Sequence, residues 1–146
     1  MGILPISFSK KASHLRIGEL GEKAVVREMK RMGLEVLRVN YSVHGVGEID
    51  IIGRDGTCLL FVEVKTRKES QFSRPGEAVN LDKKKKLWKT SRAYIRELGN
   101  PKIRFRFDVA EVYYKNRFRK KVLYLPNSFN VTDVERKKWE SDYSIR

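Results

Sequence analysis

Hydrophobic side chains near the start of the chain recur with the period of an α-helix. Over residues 13–32 they appear at three- and four-residue steps, and Gly33 follows as a residue that can end a helix. Residues 80–98 show the same spacing. Two amphipathic helices are therefore predicted. Gly18 and Gly21 lie about one turn apart on the first, where the missing side chains predict close packing against a neighbouring element.

Several shorter stretches are apolar or alternate between apolar and polar residues, which is typical of β-strands. They cover residues 34–39, 48–53, 57–67, 103–114 and 122–125. Arg54, Asp55 and Gly56 separate the second from the third, and an Asp-Gly pair there predicts an antiparallel hairpin. The order helix, strands, helix, strands predicts an α/β fold, with helices packed on a mixed central sheet.

The length of 146 residues is enough for one hydrophobic core and favours a single domain. We expect that domain to cover residues 1–125, with its core at about 13–125. Residues 126–146 are predicted to form a basic C-terminal tail, in which Thr132 or Asp133 can begin a helix.

The charge of the chain narrows the class of partner. Thirty-two Lys and Arg residues against 18 Asp and Glu give a formal net charge of +14, which favours a polyanion, with nucleic acid as the first candidate. The single cysteine, Cys58, allows no internal disulfide and fits a reducing compartment. No apolar stretch approaches the roughly 20 residues that span a bilayer. We expect a soluble, cytoplasmic protein without a membrane partner.

One charged residue, Glu63, interrupts the apolar run at 59–64, and a second, Lys65, follows it directly. Glu63 and Lys65 are two positions apart on a predicted strand, so they share one face in a region where isolated charge is costly. Asp50 lies across the predicted hairpin, roughly opposite residues 60–62. We expect the carboxylates of Asp50 and Glu63 to converge at the end of the hairpin.

Converging carboxylates repel each other unless a cation neutralises them. Oxygen ligands with open positions for water and phosphate suit Mg²⁺, and Mn²⁺ would also fit. Lys65 could then orient or help to deprotonate an attacking water, or stabilise charge on a phosphate. Each residue also has an ordinary interpretation. Glu63 and Lys65 could be a solvated ion pair, Asp50 a strand-end acid, and Glu22 a solvent-facing helix acid.

Four segments together resemble a known pattern: "GELGEKAV" at 18–25, "GEIDII" at 47–52, "FVEVKTR" at 61–67 and "RFDVAEV" at 106–112. In order and spacing they resemble the bacterial YraN-like family of the PD-(D/E)xK nuclease-like superfamily, which includes Holliday junction resolvases and restriction endonucleases. The resemblance implies a restriction-endonuclease-like αβββαβ core. It also implies that Glu22, Asp50 and Glu63 bind metal and that Glu63 and Lys65 form the catalytic E-x-K pair. Ile49 stands where the superfamily usually has proline.

Basic residues outside this group are candidates for nucleic-acid contacts, with an ordinary solvated surface as the alternative. They are Arg67, Lys68, Arg74, Lys83, Lys84 and Lys86. The leading hypothesis is a Mg²⁺- or Mn²⁺-dependent endonuclease that hydrolyses phosphodiester bonds in DNA, including branched or distorted duplex. The alternatives are a catalytically inactive nucleic-acid-binding module with the same fold and an adaptor for an acidic protein. Homodimerisation and the choice between DNA and RNA stay open.

Overall fold

The computed structural model describes residues 10–71, 79–116 and 118–132. The sequence predictions for Arg74 and for a helix beginning at Asp133 lie outside these residues. The elements are α1 Lys10–Arg31, β1 Glu35–Val43, β2 Gly47–Asp55, β3 Cys58–Lys68, a 3-10 turn Glu69–Gln71, α2 Leu81–Glu97, β4 Arg104–Asn116 and β5 Arg119–Phe129. This is the order that the sequence pattern predicts, and β5 contains the strand predicted at 122–125. Relative to the αβββαβ core that the resemblance implies, β5 is one further strand.

The five strands form one sheet in the order β1-β2-β3-β4-β5. Only the pairing of β3 with β4 is parallel, whereas the other three pairings are antiparallel. The helix α2 supplies the crossover that a parallel pair requires. The predicted mixed sheet flanked by helices is therefore confirmed.

The two helices cover opposite faces of the sheet. Val25 and Met29 of α1 pack with Leu60 and Val62 of β3, whereas Leu87 of α2 packs with the alternate residues of that strand, Leu59 and Phe61. Side chains of consecutive strand residues point to opposite faces, so β3 is apolar on both sides. This double burial explains the nearly continuous apolar run at the start of β3.

Gly21 explains how α1 comes so close to the sheet. A Cβ atom at Gly21 would overlap the hydroxyl oxygen of Thr66 on β3, so a larger residue would force the helix and the strand apart. At Gly18 a Cβ atom would have no atom within 4 Å. The prediction of close packing is thus confirmed for Gly21 and wrong for Gly18.

Among the boundaries that differ from the sequence predictions, two affect the candidate site and the extent of the core. The turn between β2 and β3 is formed by Gly56 and Thr57, with Asp55 paired to Cys58, one residue later than expected. Strand β5 continues to Phe129, past residue 125, where we predicted that the domain ends. Phe129 is buried against Phe107. The core therefore extends into the predicted tail.

Candidate active site

The antiparallel pairing of β2 with β3 brings Asp50 and Glu63 together. Ile51 pairs with Val62 at the end of this ladder, and the same register continued by one position places Asp50 opposite Glu63. The backbone N–H of Val64 donates to Oδ2 of Asp50 at 2.8 Å. The Asp50 carboxylate is thus fixed by the backbone of β3, beside the E-x-K segment, as the sequence predicted.

Glu63 is the most constrained acid of the group. Its side chain is only 13% exposed, and its Oε1 lies 3.3 Å from Nζ of Lys83 on α2. Its Oε2 is buried and, within the part of the chain that the structure describes, has no hydrogen-bond donor. A buried carboxylate oxygen without a donor is costly, so this atom calls for a cation or a proton.

Burial shifts the acidity of both carboxyl groups. Loss of hydration, together with the charge of Asp50, raises the pKa of Glu63 to about 7, although Lys83 and Lys65 oppose the shift. Burial also raises the pKa of Asp50, against the Val64 N–H and Lys83. Two acids held in this way favour any ligand that brings positive charge.

Glu22 approaches the pair from α1. It is half-buried, and its pKa is raised by burial and by the charges of Asp50 and Glu48, although a hydrogen bond with Asn40 opposes the shift. No three side chains of His, Cys, Asp or Glu among the described residues are gathered as a ready-made cation site. The predicted role of Glu22 as a third metal ligand therefore stays a prediction.

Lys65 lies on the same strand face as Glu63, two residues further along β3. Its charge lowers the pKa of Glu63. In the parallel ladder its register partner is Glu111 of β4, which is 1% exposed and accepts a hydrogen bond from the hydroxyl of Tyr113. Sequence reasoning missed Glu111, although an acid within the apolar segment at 109–114 is the same type of signal that singled out Glu63.

The lysines of α2 do not have one common role. Lys83, predicted as a phosphate contact, belongs to the candidate site through its ion pair with Glu63. The ammonium group of Lys84 lies over the ring of Phe129, 5.4 Å from its centroid, whereas the side chain of Lys86 is exposed. We could not distinguish these lysines from sequence because their positions relative to the sheet depend on how α2 packs.

Arg67 and Lys68, the other described candidates for nucleic-acid contact, end strand β3. They pair in register with Tyr113 and Tyr114 of β4. Arg67 is half-buried and Lys68 is exposed. Both therefore lie beyond Lys65 along the strand that carries the candidate site.

Asp108 is a buried acid that lies outside the candidate site and stabilises the contact between β4 and β5. It is fully buried and accepts hydrogen bonds from the guanidinium of Arg106, the hydroxyl of Tyr124 and the backbone N–H of Asn127. All of these donors belong to β4 or β5. The acid of the "RFD" segment thus fixes the pairing of β5 and is not part of the candidate site.

The family model described as "Uncharacterised protein family UPF0102" matches residues 21–112, which include Glu22, Asp50, Glu63 and Lys65. The chain belongs to this family. A UPF0102 protein of Alkaliphilus metalliredigens is 41% identical over 113 residues, covering 77% of this chain and 96% of that protein. One from Clostridium tetani is 41% identical over 101 residues, covering 69% and 82%. The predicted YraN-like family is therefore confirmed as UPF0102.

Among solved structures, the UPF0102 chain is similar to the Holliday junction resolvase Hjc of Archaeoglobus fulgidus. The TM-score is 0.41 and the sequence identity 22%, over 77% of this chain and 79% of that one. Within the described residues, no helix is both long and apolar enough to cross a membrane.

Proposed function

We propose that this UPF0102 protein is a metal-dependent endonuclease that hydrolyses phosphodiester bonds in DNA. The observation that carries the proposal is the buried Oε2 of Glu63, which has no donor among the described residues and belongs to a carboxylate opposite Asp50. Catalytic sites are where acids are held in such costly surroundings. Glu22, Asp50, Glu63 and Lys65 are the proposed catalytic residues, and the first three are the proposed metal ligands.

The donor set fits a hard divalent cation. Mg²⁺ is commonly held by one or two carboxylates, with water and substrate phosphate in the other positions, and Mn²⁺ accepts the same ligands. Asp50 and Glu63 provide the two carboxylates, and Glu22 is within electrostatic range of Asp50. A bound Mg²⁺ or Mn²⁺ would acidify water and neutralise charge on the phosphate.

The remaining chemistry belongs to the two lysines. Lys65 shares the strand face of Glu63, which supports its proposed role: to orient the attacking water and to stabilise the negative charge that develops on the phosphate oxygens. Water would add to phosphorus and give up a proton to solvent, while the opposite P–O bond breaks and the departing oxygen takes up a proton from solvent. Lys83 neutralises Glu63 in this structure. When a bound metal neutralises Glu63 instead, Lys83 would bind the substrate phosphate.

The substrate class follows from the charge of +14, which favours a polyanion, and from the basic residues that follow Lys65 along β3. Branched or distorted duplex is proposed because the sequence resembles a superfamily that includes junction resolvases. Action in the cytoplasm and assembly as a homodimer, which would place two cuts symmetrically, are parts of the same proposal.

The test is a cleavage assay on single-stranded, duplex, flap and four-way-junction DNA with Mg²⁺, Mn²⁺ or chelator. We expect metal-dependent cleavage that is lost in Asp50→Ala. Asp82→Ala is the matched control, since Asp82 is an exposed acid in the first turn of α2. Absence of cleavage with either metal, or cleavage that survives Asp50→Ala, would refute the proposal.

An inactive nucleic-acid-binding module is the second candidate. It is favoured by the ion pair between Lys83 and Glu63, which already supplies a positive charge to the acids. Calorimetry separates the two functions. A catalytic site should bind Mn²⁺ and lose that binding in Glu63→Ala, whereas an inactive module should bind DNA equally well in chelator and show no Mn²⁺ binding to lose.

A further inference from the structure

The hairpin that joins β4 to β5 carries an exposed aromatic side chain among basic residues. Phe118 is 89% exposed, whereas the next most exposed large hydrophobic residue of the described chain, Leu15, is 65% exposed. The segment "KNRFRKK" at 115–121 contains five Lys or Arg residues and no acid. We call Lys115, Phe118, Arg119, Lys120 and Lys121 the hairpin tip. The proposed active site uses none of these residues.

The backbone presents Phe118 in a defined turn. The side-chain oxygen of Asn116 accepts hydrogen bonds from the backbone N–H groups of Phe118, at 2.9 Å, and Arg119, at 3.0 Å. Asn116 also pairs with Arg119 to close the hairpin, next to an irregularity in the ladder at Tyr114 and Asn116. Such an Asx-type turn orders the backbone at a loop tip.

An exposed aromatic side chain in a basic hairpin matches the surface of a nucleic acid. Phosphates attract the cations, and the flat ring can stack on a base or insert between two bases. A second copy of this chain is a poor occupant, because the basic tips of two copies repel each other. From these observations we propose that the hairpin tip binds nucleic acid, with Phe118 stacking on an unpaired base.

The hairpin tip lies apart from Glu63, and the relation between the two places rests on the proposed nuclease function. In the parallel ladder Glu63 pairs with Val109, and β4 continues for seven residues from there to Asn116. At about 3.3 Å per residue the tip lies roughly 23 Å beyond Glu63, measured along the strand. A nucleic acid that contacts both places must therefore extend well beyond the phosphate at Glu63.

The test is the binding of the full chain to labelled DNA in chelator, where no metal-dependent cleavage occurs. The probe carries 2-aminopurine, whose fluorescence falls on stacking, at a single unpaired position. Phe118→Ala should weaken binding by about tenfold or more and abolish the fluorescence change, and Phe118→Trp should restore both. Leu15→Ala, which also truncates an exposed apolar side chain, should leave both unchanged.

Salt dependence separates stacking from charge. Phe118→Ala should leave the slope of log affinity against log salt unchanged, whereas Lys121→Ala should reduce it by about one. Equal binding by wild type and Phe118→Ala would overturn the inference. So would an equal loss of affinity for polyglutamate, which has charge but no bases, or a dimer that dissociates in Phe118→Ala. Failure of the nuclease proposal leaves this result intact, because binding is measured without metal.

Discussion

Nζ of Lys83 lies 3.3 Å from Oε1 of Glu63, so a lysine on α2 neutralises a buried carboxylate on β3. Lys83 also lowers the pKa of Asp50. The lysine therefore supplies positive charge where the proposed metal would supply it. A metal that binds the two acids must compete with Lys83 for Glu63.

Removal of the Lys83 ammonium group should change how strongly Asp50 and Glu63 bind metal. We expect Lys83→Ala to melt at a lower temperature than wild type in chelator, because Glu63 loses its counter-ion. Its affinity for Mn²⁺ should rise by up to about fivefold, the range expected for a partly exposed ion pair. Lys85→Ala, an exposed lysine of the same helix turn, is the control. Unchanged Mn²⁺ affinity in Lys83→Ala would show that Lys83 does not compete with metal.

Two substitutions of Asp50 should separate its structural role from its role in metal binding. Asp50→Asn keeps an oxygen that can accept the Val64 N–H, so the melting temperature in chelator should be maintained or raised, since one of two repelling charges is removed. Asp50→Ala leaves that N–H without its acceptor and should cost about 1–3 kcal/mol of unfolding free energy. Both variants should lose the rise in melting temperature that Mn²⁺ produces in wild type. A Mn²⁺-dependent rise in Asp50→Asn would contradict its role as a ligand.

The helices and strands of this fold could be predicted where each depends on residues that are close together in the sequence. The spacing on α1 and α2 and the apolar run of β3 depend only on neighbours in sequence. The convergence of Asp50 with Glu63 was also predictable, although the turn lies one residue later than expected. Both residues are at the open end of a hairpin, and a short turn limits how far apart they can be.

The features that we could not predict depend on contacts between distant elements. The ion pair of Lys83 with Glu63 requires the packing of α2 on the sheet, and the burial of Glu111 requires the parallel crossover. The last strand was predicted to end at residue 125, yet β5 continues through Pro126 to Phe129. Since β5 is an edge strand, its proline can be tolerated where no ladder hydrogen bond is needed.

Gly21 offers a test of how closely α1 must approach the sheet. Gly21→Ala should destabilise the protein by about 1–3 kcal/mol, because its Cβ atom would overlap the hydroxyl oxygen of Thr66. Much of this loss should be recovered in Gly21→Ala/Thr66→Ala, measured as a double-mutant cycle by urea unfolding. Gly18→Ala is the control and should stabilise the same helix by up to about 1 kcal/mol. If both alanines had the same effect, close contact at Gly21 would be refuted.

The surroundings of Tyr41 predict that the free energy of unfolding depends on pH in the alkaline range. Burial, together with the hydrogen bond that its hydroxyl donates to Glu97 at 2.7 Å, raises the pKa of Tyr41 from 10 to about 12. The folded state therefore holds this proton more tightly than the unfolded state, so the stabilisation is complete below pH 10 and is lost as the pH rises from 10 to 12. Tyr41→Phe should flatten this part of the curve of unfolding free energy against pH. Parallel curves for the two proteins would contradict the assignment.

Lys65 distinguishes a working site from a merely structural one. Lys65→Ala removes no carboxylate, so a catalytic site should keep its fold and its Mn²⁺ binding while cleavage falls by ~10² or more, through loss of water orientation and charge stabilisation. In a structural site Lys65 only compensates the acids, and its removal should lower the melting temperature without changing any activity. A thermal melt, a Mn²⁺ titration and a cleavage assay on one preparation distinguish these outcomes. An unchanged cleavage rate together with a lower melting temperature would rule out the catalytic assignment, because a residue that orients the attacking water cannot be removed without slowing the reaction.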